Sequence, residues 1–386
     1  MTPIHYKQKQ IIMKKKFSRR DALKAIGLTI GGAVIGNEVF PQVVENANIP
    51  YPLSSGDNKT SSPEPERIIG AWNEWGRLRE AVLGNVDDMV DPGYIDALIW
   101  VSEEGKKDLK ESAGKHSLEA FPEEGRKMII TLNTLEKVLT DHGVIVHRTK
   151  PIPTEYKEEF SYLKDVQKGS YTIGGADFFR VLGTNIILLN SFHLPFRRSN
   201  IWTIRRTLEP LLADCDNPYF ATPPPSPHYT RDDLYLENGD IMVDGHNVYI
   251  GMSGNATSPK GAAWLKQLLG DDYKVHVIRL KPDLFHLDWL LSLNRPGLLT
   301  YCPEALLDSL PDPLTKWDKI ETRLDETAGA NNLSIDEKTI VVPEHLTRIC
   351  DAYDKKGMKV ITIPAIETIG YGSGPRCLTA VLRRDP

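Results

Sequence analysis

The chain has 386 residues, 40% hydrophobic and 26% charged, enough to bury a large core but long enough that a single domain needs an internal organising principle. A formal net charge of -5 and a pI near 6.1 offer no general basic face to a phosphate backbone, which argues against nucleic acid and suits a small cationic partner. Its four cysteines, Cys215, Cys302, Cys350 and Cys377, show no Cys-x-x-Cys spacing, so neither a zinc site nor a redox dithiol is expected, and no cofactor is implied.

At the N-terminus, Lys14-Lys15-Lys16-Phe17 leads into Ser18-Arg19-Arg20-Asp21-Ala22-Leu23-Lys24 and then an apolar run from Ala25 to about Phe40. The paired arginines resemble a twin-arginine signal, which is read by the machinery that exports folded proteins across the bacterial inner membrane. The run is broken by Gly27, Gly31, Gly32 and Gly36, too weak for a spanning helix. The expected division is a signal segment over 1–47, a Pro/Ser-rich linker over 48–66 and one catalytic domain over 67–386, located in the periplasm or otherwise exported. Disulfides among Cys215, Cys302 and Cys350 are permitted there, whereas Cys377 has to stay reduced to work.

From Glu66 onward a grammar of strand, tight turn, strand, helix, strand recurs. Leu78–Leu83 reads as a strand, and a helix near Arg126 to Asp141 puts Met128, Leu132, Leu135 and Leu139 on one face before Gly143 and a strand at Val144–Val146. Hairpins are expected at Phe178–Leu182 with Asn185–Leu189, and at Ile241–Val243 with Asn247–Ile250, where Asp244-Gly245 tolerates the positive φ of a two-residue turn. A helix from about Lys260 to Leu269 and a strand at Lys274–Leu280 follow. A further hairpin is expected at Trp289–Leu293 with Leu298–Cys302, then a strand at Thr339–Val342, a helix near Glu344 to Lys355 and a strand at Lys359–Ile363. About five such units, none able to bury its apolar face alone, would pack around a common axis as one α/β domain of pseudo-fivefold ββαβ repeats. Hairpins inside each unit argue against a doubly wound sheet.

Chemistry-bearing residues fall at matching places in these units. Asp177 precedes one hairpin, Glu237 and Asp240 another, His286 and Asp288 a third, and Cys377 follows the last strand-like segment within Gly374-Pro375-Arg376-Cys377. Equivalent positions in a ring converge at one end of the axis. A guanidinium carbon resists attack unless carboxylates hold its charge, and Asp177 and Asp288 can each accept paired N–H bonds. His286 and Asp288 project to one side of an extended segment while Leu287 turns into the core. Cys377 is the candidate nucleophile, His286 the acid and base, and Glu237 its support; Asp240 joins Asp177 and Asp288 as a candidate substrate ligand.

These residues resemble the amidinotransferase and arginine deiminase superfamily. Asn73-Glu74-Trp75-Gly76-Arg77-Leu78 with Val82-Leu83-Gly84 is similar to the opening strand of the glycine amidinotransferase branch, Glu237-Asn238-Gly239-Asp240 to the E-G-G-D of the deiminases, and His286-Leu287-Asp288 to the H-x-D element. Gly374 to Thr379 resembles the nucleophile loop and Arg383-Arg384 the closing basic run. Asn238 stands for a usual glycine, Arg376 for a frequent histidine and Leu378 for the transferase tryptophan. The resemblance implies a five-bladed β/α propeller and an amidinotransferase that uses arginine or a related guanidino compound through an amidino-cysteine, with an amine acceptor. It leaves open a deiminase-like hydrolase giving a ureido product. A non-enzymatic propeller that binds partners would have no need of the cysteine, histidine and carboxylate set. An oligomer stays open, and the expected partners are the small guanidino substrate and the twin-arginine export machinery.

Overall fold

A computed structural model describes residues 69–99, 101–151, 172–213, 215–226, 230–326, 328–364 and 373–386; the signal segment and linker read from the sequence lie outside the described residues. In chain order the elements are β1 (Leu78–Leu83), α1 (Glu103–Ser112), α2 (Ser117–Ala120), α3 (Pro122–Asp141), β2 (Ile145–Arg148), β3 (Phe179–Leu182), β4 (Asn185–Leu188), α4 (Ile201–Leu212) and β5 (Tyr219–Ala221). They continue with β6 (Ile241–Asp244), β7 (Asn247–Met252), α5 (Pro259–Leu269), β8 (Lys274–Arg279), β9 (Leu291–Arg295), β10 (Leu298–Tyr301), α6 (Asp312–Thr315), β11 (Asp318–Glu321), β12 (Leu333–Asp336), β13 (Thr339–Pro343), α7 (Thr347–Lys355), β14 (Lys359–Ile363) and β15 (Thr379–Arg384).

The strands form five three-stranded sheets, ordered β15-β1-β2, β3-β4-β5, β6-β7-β8, β9-β10-β11 and β12-β13-β14. In each, the first pair is antiparallel and the third strand is parallel to the middle one. A hairpin makes the antiparallel pair in four sheets, whereas a parallel neighbour needs a crossover, and α3, α4, α5 and α7 supply it. In the β9-β10-β11 sheet the crossover is a single 3₁₀ turn at Pro303–Ala305 followed by α6.

Local signals explain the best-defined pieces. Ser258 caps α5 by accepting the Gly261 amide at 3.1 Å, Pro259 takes the first helical position, and Gly270 ends the helix at φ +65°. Helix α3 lays Met128, Leu132, Leu135 and Leu139 against Leu78, Ala81 and Leu83 of β1 and against Leu333 and Val341 of the β12-β13-β14 sheet. Neighbouring sheets therefore share core, and each fully buried leucine contributes about 1.5–3 kcal/mol.

Three expectations shift. Strand β9 starts at Leu291 instead of Trp289, because Leu287–Trp289 wraps into one 3₁₀ turn, and its hairpin turns at Pro296-Gly297, where Gly297 has φ +77°. The partner of β13 is β12, which the sequence reading did not separate from its surroundings. Cys377 does not trail the final strand: it leads into β15, which pairs antiparallel with β1 so that the two ends of the described chain share one sheet.

Candidate active site

Each sheet begins in the same way. A tight turn delivers the chain into the strand that opens the sheet, and a polar side chain stands within three residues of that strand. Asp177 precedes β3, Asp240 precedes β6, Asp288 precedes β9, Asn331 precedes β12 and Cys377 precedes β15. The turns at Gly175–Phe178, Asn238–Asp240 and Leu287–Trp289 are single 3₁₀ turns, which present a side chain at a fixed angle to the strand that follows. His286 is the extended residue before the third of these turns, while Asp288 lies within it, so strand alternation does not relate the two. Leu287 packs into the core between them.

The histidine side of the site is an ion cluster closed to water. His286 Nε2 lies 2.9 Å from Glu237 Oε2, and the same oxygen accepts Arg197 Nη1 at 2.7 Å. Glu237 Oε1 accepts the His193 amide at 2.9 Å. The other terminal nitrogen of Arg197 is paired with Asp177, and the guanidinium lies over the rings of Phe192 and Phe285. Burial alone pushes Glu237 up, but Arg197, the His286 bond and the His193 amide bring it down to about 2. Burial likewise depresses His286, yet the hydrogen bond it donates to Glu237, with the charges of Asp240 and Glu237, raises it to about 9. The imidazole is therefore a cation at neutral pH.

Asp240 has a different task. Its two oxygens accept the Leu287 amide and the Thr257 amide, each at 2.9 Å, so it pins the loop carrying His286. Burial raises it to about 6 against the pull of His286 and those amides. Both Asp240 oxygens thus hold backbone of the loops around His286, a positioning contact that the sequence reading did not foresee.

The nucleophile side centres on Cys377. Its thiol donates to Asp288 Oδ2 at 3.2 Å and accepts from Asn331 Nδ2 at 2.9 Å, while its backbone amide donates to Asn331 Oδ1 at 3.0 Å. Burial pushes the thiol well above its ordinary range, the Asp288 and Asp177 carboxylates push it further, and Arg376 pulls the other way. Asp288 Oδ2 also accepts Arg376 Nη1 at 2.9 Å, whereas Asp288 Oδ1 is buried with no hydrogen-bond partner. A carboxylate oxygen in that state is an acceptor waiting for a donor. The site thus holds a thiol hydrogen-bonded to one oxygen of Asp288 while the other oxygen is unclaimed, and Asp177 couples electrostatically to both Cys377 and His286.

Beneath it runs a second charge network. Glu74 pairs with Arg180 and lies 3.5 Å from Arg376 Nε, and it accepts the Val243 amide at 3.0 Å. Burial raises Glu74, but Arg180 and Arg376 bring it down to about 2. Arg376 also donates to the Ile241 carbonyl at 2.7 Å. Arg197, Asn331 and the Arg376–Asp288 pair were not legible as site residues from the sequence. The entrance position that marks Asp177 and Cys377 would have found Asn331 had β12 been recognised. All four cysteines are free thiols.

No family model matches the chain. A curated relative, the mitochondrial glycine amidinotransferase of Danio rerio, is 23% identical over 416 residues, covering 94% of this chain and 94% of that protein. Among solved structures, the amidinotransferase of the saxitoxin biosynthetic pathway from Microseira wollei matches with a TM-score of 0.69 at 21% identity, covering 82% of this chain and 98% of that one. The inosamine-phosphate amidinotransferase of Streptomyces griseus matches with a TM-score of 0.68 at 22% identity, covering 83% of this chain and 98% of that one.

Proposed function

We propose that this chain, which belongs to the amidinotransferase and arginine deiminase superfamily on its glycine amidinotransferase side, transfers the amidino group of arginine or a related guanidino compound to an amine. Its five sheets are then the blades of a β/α propeller, with the five strand entrances gathered at one end of the axis. The observation that carries the reading is Asp288: one oxygen touches the Cys377 thiol and the other is buried without a partner. A guanidinium N–H donating to Oδ1 would hold its carbon beside the sulfur.

The reaction follows from the protonation states. The substrate cation replaces positive charge that the thiol lacks, so the thiol releases its proton to solvent as the guanidinium settles against Asp288, and the thiolate regains one from solvent when the product cation leaves. The thiolate attacks the guanidinium carbon, and the tetrahedral adduct collapses by breaking the carbon–nitrogen bond to the leaving amine. His286, cationic through Glu237, gives that amine its proton. An amidino-cysteine stays on Cys377. The neutral imidazole then takes a proton from the incoming amine, which adds to the amidino carbon and expels the thiolate. Water in place of the amine would make the same site a hydrolase giving a ureido product, the reading that Glu237 beside the histidine favours. Export by the twin-arginine route belongs to the same proposal, resting on Arg19 and Arg20.

Incubation with arginine and candidate amines, with products identified by mass, separates transfer from hydrolysis. Quenched enzyme should carry one amidino group on the peptide containing Cys377. An active Cys377→Ala variant would sink the mechanism.

A further inference from the structure

The thiol of Cys377 is surrounded by groups that oppose its ionisation. Asp288 accepts its proton at 3.2 Å, Asp177 adds a second negative charge, and His286 is turned to Glu237. Arg376, a cation acting on the sulfur, has its charge shared with Asp288 and Glu74. Among the described residues Asn331 makes the one hydrogen bond donated to the sulfur, through Nδ2 at 2.9 Å.

That amide has only one orientation open to it. Its Oδ1 accepts the Cys377 backbone N–H at 3.0 Å, and a flipped amide would set N–H against N–H there and an oxygen lone pair against the sulfur. Nδ2 also donates to the Asp288 carbonyl at 3.2 Å, so one buried side chain ties the cysteine loop to the loop carrying its carboxylate partner. The backbone is shaped to allow this. Gly374 passes so close to Asn331 that a Cβ there would lie 2.7 Å from Oδ1 and nearer still to the Asn331 carbonyl. On the other side Ala328, with φ +58°, is the one non-glycine residue in the left-handed region among the described residues, and its carbonyl accepts the Asn331 amide at 2.9 Å. Strain is tolerated and a side chain is excluded where both serve the placement of one amide.

We propose that Asn331 is a positioning residue that seats Cys377 and, by donating to the sulfur, holds its thiolate once the proton has left. The proposal rests on Cys377 being the nucleophile, and it makes Asn331 the counterpart in the β12 sheet of the side chains at the other four strand entrances. The amide dipole offsets the two carboxylates without adding a charge that would repel a cationic substrate. It also fixes which face of the sulfur points away from Asn331 toward the unclaimed Asp288 oxygen.

The test is the pH dependence of Cys377 alkylation by iodoacetamide in the free protein, followed by mass on the peptide containing Cys377. Asn331→Asp retains the oxygen that accepts the Cys377 amide and removes the donor to sulfur. Its midpoint should rise by about one pH unit or more, a tenfold loss of thiolate at fixed pH below the midpoint, with kcat falling more than KM rises. Asn331→Ala should move the midpoint in the same direction. Gly374→Ala, which displaces the amide without altering it, should do the same and covers the case in which the Asn331 variants fail to fold. An unmoved midpoint in a folded Asn331→Asp or Gly374→Ala protein overturns the proposal. The alkylation profile is read without turnover, so failure of amidino transfer leaves it standing, whereas an active Cys377→Ala variant removes its premise.

Discussion

His286 and Glu237 share a buried hydrogen bond, Nε2 to Oε2 at 2.9 Å, whose acceptor oxygen also holds Arg197. The histidine's folded pKa of about 9 lies above its ordinary 6.5, so the stability it contributes is complete below about pH 6.5 and is lost as pH rises through about 9. Asp240 titrates lower, between its ordinary 3.8 and about 6, and does not disturb that window. The melting temperature should fall between pH 6.5 and 9 in the native protein and stay nearly flat over the same interval in Glu237→Gln. A matching fall in both proteins would show that the pair is not responsible.

Gly239 lies against the imidazole. A Cβ there would sit 2.6 Å from His286 Cγ and closer to Nδ1, so Gly239→Ala must push the ring away from its place. Turnover should fall by about 100-fold, since a displacement near 1 Å of a reacting group has that order of effect. Thermal unfolding should change little by comparison. Steady-state kinetics alongside calorimetry checks both halves.

Asp288 and Glu237 should separate kinetically. Asp288→Asn keeps shape but removes the charge that meets the guanidinium, costing about 1.5–3 kcal/mol and appearing mainly as a raised KM. Glu237→Gln should instead lower kcat, because the imidazole is no longer held as an acid after the substrate is bound. If Glu237→Gln raised only KM, the proton role given to His286 would be wrong.

Export should require Arg19 and Arg20 together, as lysine cannot reproduce a planar guanidinium fork. A double Lys variant should accumulate in the cytoplasm with its N-terminus intact. Cell fractionation with mass analysis of the N-terminus decides it, and unchanged periplasmic recovery would remove the localisation proposal.

The sequence is most readable where local chemistry dictates geometry. Asp244-Gly245 between two short apolar runs yields β6 and β7, and Pro259 with Gly270 brackets α5. Helix α4 is obscured by Pro210 near its end and by the Arg205-Arg206 pair at its middle. Strand β12 has only four residues, and the turn at Glu337-Lys338 carries neither glycine nor asparagine, so its entrance and Asn331 went unread. The pairing of Arg197 with Asp177 and Glu237, and of Arg376 with Asp288 and Glu74, joins positions far apart in the chain. No local pattern can announce such contacts, because each depends on which sheets become neighbours.

The pairing of β15 with β1 has a consequence in time. Arg79 and Asp385, whose side chains meet across this sheet, are 306 residues apart, and closing so long a loop is among the slowest steps available to a folding chain. The thiol lies just ahead of the strand that makes this closure, and it is translated after every carboxylate it faces. During refolding, helical signal should therefore return well before catalytic activity, and a ribosome-bound chain that ends ahead of Cys377 would hold carboxylates and imidazole with no nucleophile to complete them.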